Sequence, residues 1–350
     1  MSHSKLISIS VAGLLTIAML VFVVSSGTSI PATDQQATKA SYIVQADSLG
    51  LAVEAVQGVG GEITHELRII NSVGALLTDQ QRSALDADQW IRTYVNHEAR
   101  VSSYLWQAPD TYDTSEDEKK YGQVVRSPSL HDEGIDGRGV TVAILDTGLW
   151  WYHKGIMRSS DGSSRILAMY DAINDMDYRG EDLEDLLDGD DDVLLISANS
   201  DDRGNDGSGH GTHMASIALN TDSVHGDFIG IAPGADLVSV KAFGANGGGT
   251  YLDVIRGLDF IVTYKDTYGI DVLNLSFSAS PQSYYWDDPL NQAVMAAWQA
   301  GIVVVASAGN LGPDPMTIGV PGNLPYVITV GAMTDNYSPA DPSDDMLAYW

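Results

Sequence analysis

The sequence predicts an α/β protein: a parallel sheet with helices on both faces, preceded by a small α+β unit. Three observations carry this prediction. From Gly139 onward, near-continuous apolar strands alternate with helical segments, as expected for strands buried on both faces. Residues 41–97 run β-α-β-β-α-β, the split βαβ order. The 350 residues are 44% hydrophobic, enough for an ordinary core despite a formal net charge of −29.

The elements follow in chain order. Lys5 precedes an apolar run from Leu6 to Val24, and Ser25, Ser26 and Gly27 follow it. A charged start, an apolar segment and small residues read as a signal peptide over 1–27. The run is also long enough to span a bilayer, so a retained N-terminal anchor is the competing reading. Both send the rest of the chain out of the cell, secreted or anchored with its main domain outside. A membrane is met only through this segment. Pro31 to Lys39 reads as linker.

In the small unit, Tyr42–Val44 is a strand. Ser48 to Gln57 carries Leu49, Ala52, Val53 and Val56 at helical spacing and stops at Gly58. Ile63, His65, Leu67 and Ile69 alternate as a half-buried strand. Val73 to Leu77 is another strand, Thr78-Asp79-Gln80-Gln81 is a capping-box start, and Trp90 to Val95 is the last strand. Residues 98–128 are polar, with Glu116-Asp117-Glu118 beside Lys119-Lys120, and read as an exposed connector. The main domain occupies 129–350. Its predicted strands are Val140–Leu145, Leu237–Phe243, Val272–Leu275, Ile302–Ala306 and Val327–Val330. Helices follow His210 and lie near Leu252–Val262 and Leu290–Trp298. Ligands of such sheets bind outside the carboxyl ends of the strands.

Composition narrows the function. The 47 acidic side chains against 18 basic ones exclude nucleic acid as a partner, because phosphate binding needs clustered Lys and Arg. The acid is mostly aspartate, 38 Asp against 9 Glu, and there are only 7 Lys. Such a surface suits high ionic strength or calcium. Cysteine is absent, which removes disulfides, thiolate metal sites and cysteine nucleophiles together. Asp171 to Asp206 holds 14 acids and two Arg, a net −12. Within it, Asp188-Gly189-Asp190-Asp191-Asp192 looks like a cation loop but lacks a closing bidentate Glu. Solvated surface and calcium both stay open there, and the metal ligands stay unknown.

Three segments carry chemistry. Val140 to Leu145 ends in Asp146-Thr147-Gly148, an acid at a strand's carboxyl end, well placed to orient a partner. No second Asp-Thr-Gly loop appears in this βα pattern, which sets aside a paired-aspartate peptidase. Gly209-His210-Gly211-Thr212-His213 opens a helix, and its glycines allow close backbone approach. His210 and His213 lack the spacing and the Glu of a zinc helix. Val303 to Ser307 leads into Ala308-Gly309-Asn310, whose asparagine is either a turn residue or a donor aimed at a developing oxyanion.

In the order Asp146, His210, Asn310, these motifs resemble the subtilisin-like serine proteases, the subtilases. The resemblance runs from about Ser129 to the chain end. It includes Gly139–Gly148, His210-Gly211-Thr212-His213, Ile231-Ala232-Pro233-Gly234-Ala235, Val272–Ser276, Gly309-Asn310 and Pro325–Ala332. Residues 41–97 resemble the family's inhibitory, inhibitor I9-type propeptide. The resemblance implies a subtilisin-like fold and a serine endopeptidase that cleaves polypeptides through an acyl-enzyme. His210 would be general base and then acid, Asp146 would hold its tautomer, and Asn310 would donate to the oxyanion. Gly247, Gly248 and Gly249, with Ser276, Phe277 and Ser278, would be the two edges that bind an extended peptide. The tail near Trp90 to His97 would lie in that cleft, making the propeptide an intramolecular inhibitor. No cofactor is required.

Departures from the family pattern matter. The nucleophile motif, Gly-Thr-Ser-Met-Ala, is missing, and Gly27-Thr28-Ser29 is a decoy in the leader. A chain truncated before its serine, inactive as given, is the expectation. A non-catalytic, extracellular acidic or calcium-binding module on the same fold is the alternative. Ser278 stands where many members have Gly, which would narrow a specificity pocket. His153-Lys154-Gly155 lacks the residues that help build a calcium site in some members, and Asp222 and Asp227 do not restore it.

Overall fold

The computed structural model describes residues 38–101, 121–179, 205–224, 226–334 and 343–347. The apolar run 6–24, residues 102–120 and the loop Asp188–Asp192 lie outside them, as do the readings made there. Among the described residues no helix is long and apolar enough to cross a membrane.

The small unit comprises β1 (Ala40–Gln45), α1 (Leu49–Gly58), β2 (Glu62–Leu67), β3 (Ser72–Leu77), α2 (Asp79–Asp86) and β4 (Arg92–Val95). Its sheet order is β2-β3-β1-β4, with every pair antiparallel. Ser48 caps α1, and Thr78 and Gln81 close a reciprocal capping box on α2, pairing N–H groups that a helix start otherwise leaves free. Further on come β5 (Glu98–Val101), β6 (Thr141–Asp146), β7 (Ile166–Asp171) and β8 (Met176–Tyr178). They are followed by α3 (His210–Leu219), β9 (Asp236–Lys241), β10 (Gly248–Thr250), α4 (Tyr251–Thr263), β11 (Ile270–Leu275) and β12 (Phe277–Ser278). The principal elements end with α5 (Pro289–Gln299), β13 (Val303–Ser307) and β14 (Ile328–Val330).

Seven of these strands form one sheet in the order β14-β13-β11-β6-β9-β7-β8. Its pairs are parallel except β7 with β8. Successive side chains of a strand face opposite sides, and both sides are covered. Along β6, Ala143 and Leu145 join a cluster with Val254, Ile255 and Leu258 of α4, whereas Ile144 joins Ala215 and Leu219 of α3. The sequence reading has no strand at β7. That run is bounded by charged Arg165 and Asp171, and the fold buries both. The Arg165 guanidinium donates to the carbonyls of Arg158, Leu219 and Pro233, and Asp171 accepts from the Ile173 and Asn174 backbone.

Two expectations are corrected, one about the connector and one about the tail near Trp90 to His97. Glu98–Val101 is a strand, and Tyr121–Val124 and Ser127–Asp132 are short helices. Residues 92–95 do not enter a cleft; they pair with β1 at the edge of the small sheet. The run Glu-Ala-Arg-Val is too short to signal a strand by periodicity. It becomes one because two strand edges elsewhere in the chain supply its hydrogen bonds.

The small sheet rests on α4 and α5. A Cβ at Gly74 would lie 2.9 Å from the Leu252 side chain, so β3 and α4 meet closely only because position 74 is glycine. Ile69 N donates to Asp259 Oδ1 at 2.9 Å, Gln45 Nε2 to Gln292 Oε1 at 2.7 Å, and Arg92 pairs with Asp287 at 3.0 Å. At the start of α4, Tyr251 N donates to His97 O at 2.9 Å and Leu252 N to Asn96 Oδ1 at 3.1 Å.

A 500 Å³ cavity at this seam is lined by Thr64, His65, Glu66 and Arg68 of the small unit and by Tyr170, Asp175, Asp177, Arg256 and Asp259 opposite. Burial and the Arg256 charge lower the His65 pKa from 6.5 to about 4, with Asp175 opposing. A histidine whose pKa is lower in the folded state supports that state fully above pH 6.5. The support is lost as pH falls from 6.5 toward 4, because the unfolded imidazole takes up the proton first. Wild type should therefore lose more Tm than His65→Gln between pH 7 and pH 4.5. Parallel melting curves for the two proteins would contradict this.

Candidate active site

Asp146 ends β6, a central strand flanked by β11 and β9, and His210 opens α3. His210 Nδ1 lies 2.7 Å from Asp146 Oδ1. With the proton on Nδ1 the ring donates, which leaves the Nε2 lone pair available. Thr147 N also donates to Asp146 Oδ1 at 2.7 Å. The carboxylate is 1% exposed. Burial pushes its pKa up, the hydrogen bond and charge of His210 pull it down, and the neighbouring Asp206 pushes it up again. Gly211 permits the approach: a Cβ there would stand 2.3 Å from Gly148 O.

The sequence reading missed two buried groups that hold this pair. Asp206 lies four residues before His210, at the end of the acidic run Asp171–Asp206. Its Oδ1 accepts from Thr147 Oγ1 at 2.7 Å, Gly209 N at 2.7 Å and Ser208 N at 3.1 Å. Its Oδ2 accepts from Thr212 N at 2.8 Å and Thr212 Oγ1 at 2.7 Å. Lys241, 1% exposed at the end of β9, sends Nζ to the carbonyls of Thr147 at 2.7 Å, Asn205 at 3.1 Å and Phe243 at 3.2 Å. The N-cap of α3 is Gly209, which has no side chain to offer, and Asp206 lies outside the capping position, so no local sequence signal identifies it.

Asn310 follows β13, and Ser276 follows β11. Both line a 780 Å³ cavity with His210, Met214, Asn274 and Gly309. These groups thus gather at the carboxyl ends of the parallel strands or at the facing helix start. His213 is exposed, and among the described residues no cluster of three His, Cys, Asp or Glu is arranged to hold a metal.

Strand β5 lies beside this cavity. It runs antiparallel between β10 and β12, pairing Glu98, Ala99 and Arg100 with Thr250, Gly249 and Gly248, and Arg100 and Val101 with Ser278 and Phe277. Val101 N donates to Gly247 O at 3.0 Å. All three glycines and both residues of β12 therefore meet one extended segment. Ala99 and Val101 are 1% and 5% exposed, whereas Glu98 and Arg100 face out. The Ser278 side chain stands between two glycines: a Cβ on Gly309 would lie 3.3 Å from its Oγ, and one on Gly319 would lie 3.0 Å from its Cβ.

The arrangement defines a class: an α/β protein whose buried carboxylate and imidazole form a pair suited to activating a hydroxyl nucleophile. Residues 137–348 match the model of the subtilase family, and the chain belongs to that family. It is 33% identical to serine protease AprX of Bacillus subtilis (strain 168) over 263 residues, covering 73% of this chain and 49% of AprX. Subtilisin J of Geobacillus stearothermophilus is 27% identical, over 99% of this chain and 80% of its own length. Among solved structures, fervidolysin from Fervidobacterium pennivorans, a keratinolytic enzyme related to subtilisin, shares the fold. Its TM-score is 0.57 at 21% identity, over 85% of this chain and 43% of that one. The chain thus spans about half the length of AprX and less than half of the fervidolysin chain.

Proposed function

We propose that this chain is the precursor form of an exported serine endopeptidase, with residues 41–101 acting as its intramolecular inhibitor. The observation that carries the reading is β5, an extended segment held by main-chain bonds on both sides beside the cavity of His210 and Asn310. A peptide substrate would add to the same two edges, because main-chain pairing between strands does not depend on side-chain identity.

The attacking serine lies, in this reading, outside these 350 residues. Its Oγ would attack the peptide carbonyl carbon while His210 Nε2 takes the hydroxyl proton. Asp146 holds the ring with Nδ1 protonated and stabilises the imidazolium that forms. Asn310 donates to the carbonyl oxygen as it becomes an oxyanion. Collapse of the tetrahedral intermediate breaks the C–N bond, and His210 returns the proton to the leaving amine. Water repeats the sequence on the acyl-enzyme. No cofactor takes part. Ser278, wedged against Gly309, narrows the space for the substrate residue that carries the scissile carbonyl.

The full-length gene product should react with a fluorophosphonate probe at a serine downstream of Trp350. Sequencing of the processed form should place its new N-terminus after Val101. A full-length protein that takes no label would refute the enzyme reading and favour an acidic scaffold on the same fold.

A further inference from the structure

We propose that Asp206 is a positioning residue for the Asp146–His210 pair, a clamp that presets their contact before substrate arrives; this rests on the enzyme reading above. Three separate pieces of chain converge on this one carboxylate: the loop that follows Asp146, the loop that precedes His210, and the first turn of α3. Asp206 itself is 0% exposed.

The bonds have a direction. Gly211 N donates to Thr147 Oγ1 at 2.8 Å, and that hydroxyl donates onward to Asp206 Oδ1 at 2.7 Å. Trp150 N donates to Thr212 Oγ1 at 3.0 Å, and that hydroxyl donates onward to Asp206 Oδ2 at 2.7 Å. Each relay runs N–H to O–H to carboxylate, and each crosses between the Asp146 loop and the His210 helix. Bonds that end on an ionised acceptor are shorter and stronger than neutral ones, and a chain of them polarises cooperatively at low dielectric. The Asp206 main chain adds a tie of its own, since its carbonyl accepts Trp150 Nε1 at 2.7 Å.

The position demands a carboxylate and not merely a polar side chain. Oδ1 faces the main-chain N–H groups of Ser208 and Gly209, and Oδ2 faces that of Thr212. A main-chain N–H cannot reverse its polarity. Asparagine in either orientation would therefore set an NH2 group against at least one N–H donor. Shape would be kept and the clamp would open.

The test compares wild type with Asp206→Asn, each as the full-length protein. Two readouts separate positioning from simple folding. One is the far-downfield proton resonance of His210 Nδ1–H in its bond to Asp146. The other is the split between kcat and KM on a fluorogenic peptide carrying Glu98–Val101 on its acyl side. A misplacement of about 1 Å costs roughly 10²-fold in rate. Asp206→Asn should accordingly lower kcat by about that factor, leave KM within about twofold, and lose the resonance to solvent exchange. An intact resonance and unchanged kcat in a folded variant would overturn the proposal. If Asp206→Asn does not fold, Thr147→Val removes one relay alone. It should lower kcat about tenfold and weaken the resonance, with Thr147→Ser restoring both; unchanged kcat and resonance would overturn the proposal. A full-length wild type without hydrolytic activity would refute the enzyme reading, while the resonance would still test the clamp.

Discussion

His210→Ala in the full-length protein is expected to abolish fluorophosphonate labelling, and Asp146→Asn to lower kcat by about 10⁴-fold with the fold intact. The second variant is the more informative. The Asp146 carboxylate is buried, and it accepts from both His210 Nδ1 and Thr147 N. Both donors meet the same oxygen, Oδ1, so asparagine preserves volume but either turns its NH2 group toward both of them or keeps a neutral oxygen there that stabilises the imidazolium less. In the first orientation the ring gains by turning its unprotonated nitrogen toward residue 146 and its N–H toward the proposed nucleophile, the wrong tautomer for a base. Steady-state kinetics of Asp146→Asn beside wild type check this. A loss below tenfold would show that Asp146 does not orient the imidazole. Equal labelling of wild type and His210→Ala would show that another group takes the proton.

Ala99→Asp is expected to release β5 from between its two edges, with amide protection at Glu98–Val101 falling about 10²–10³-fold. Ala99 is 1% exposed and pairs with Gly249. A Cβ on that glycine would lie 2.3 Å from Ala242 O, so the edge has little room to give. An unpaired carboxylate placed there costs about 3–5 kcal/mol, more than a short strand recovers from its own bonds. Arg100→Asp serves as the control. Arg100 is exposed, and its pair with Glu98 at 3.3 Å is a surface ion pair of little worth. Hydrogen exchange on the His210→Ala precursor, which would not process itself, separates the two. Equal protection in both variants would mean that the buried alternation of β5 does not decide its docking.

Much of the molecule is legible in the linear chain because its signals are local. Apolar runs with few polar breaks describe strands of a covered sheet: between their end residues β6 and β13 are continuous, and β9 and β11 are interrupted only by Ser239 and by Asp271 and Asn274. Thr78 and Gln81 announce a helix start within four residues, and Asp146-Thr147-Gly148 and Gly209-His210-Gly211 mark a strand end and a helix start in the same way. The comparisons bear out the α/β fold with its mostly parallel sheet and the membership in the subtilase family. Strand β7 was hidden because Arg165 and Asp171 look like surface and are buried by partners that only the fold supplies.

The sequence by itself determined which residues stand at the carboxyl ends of the strands, since hydrophobic period and turn chemistry are properties of neighbours along the chain. Only the tertiary structure decided that Glu98–Val101 is a strand and that Asp206, 59 residues beyond Thr147, joins two loops into one clamp. Both depend on hydrogen-bonding groups that a segment finds elsewhere in the chain. A four-residue run with open N–H and C=O groups takes its conformation from the edges it meets, and a buried carboxylate is stable only where distant donors converge on it.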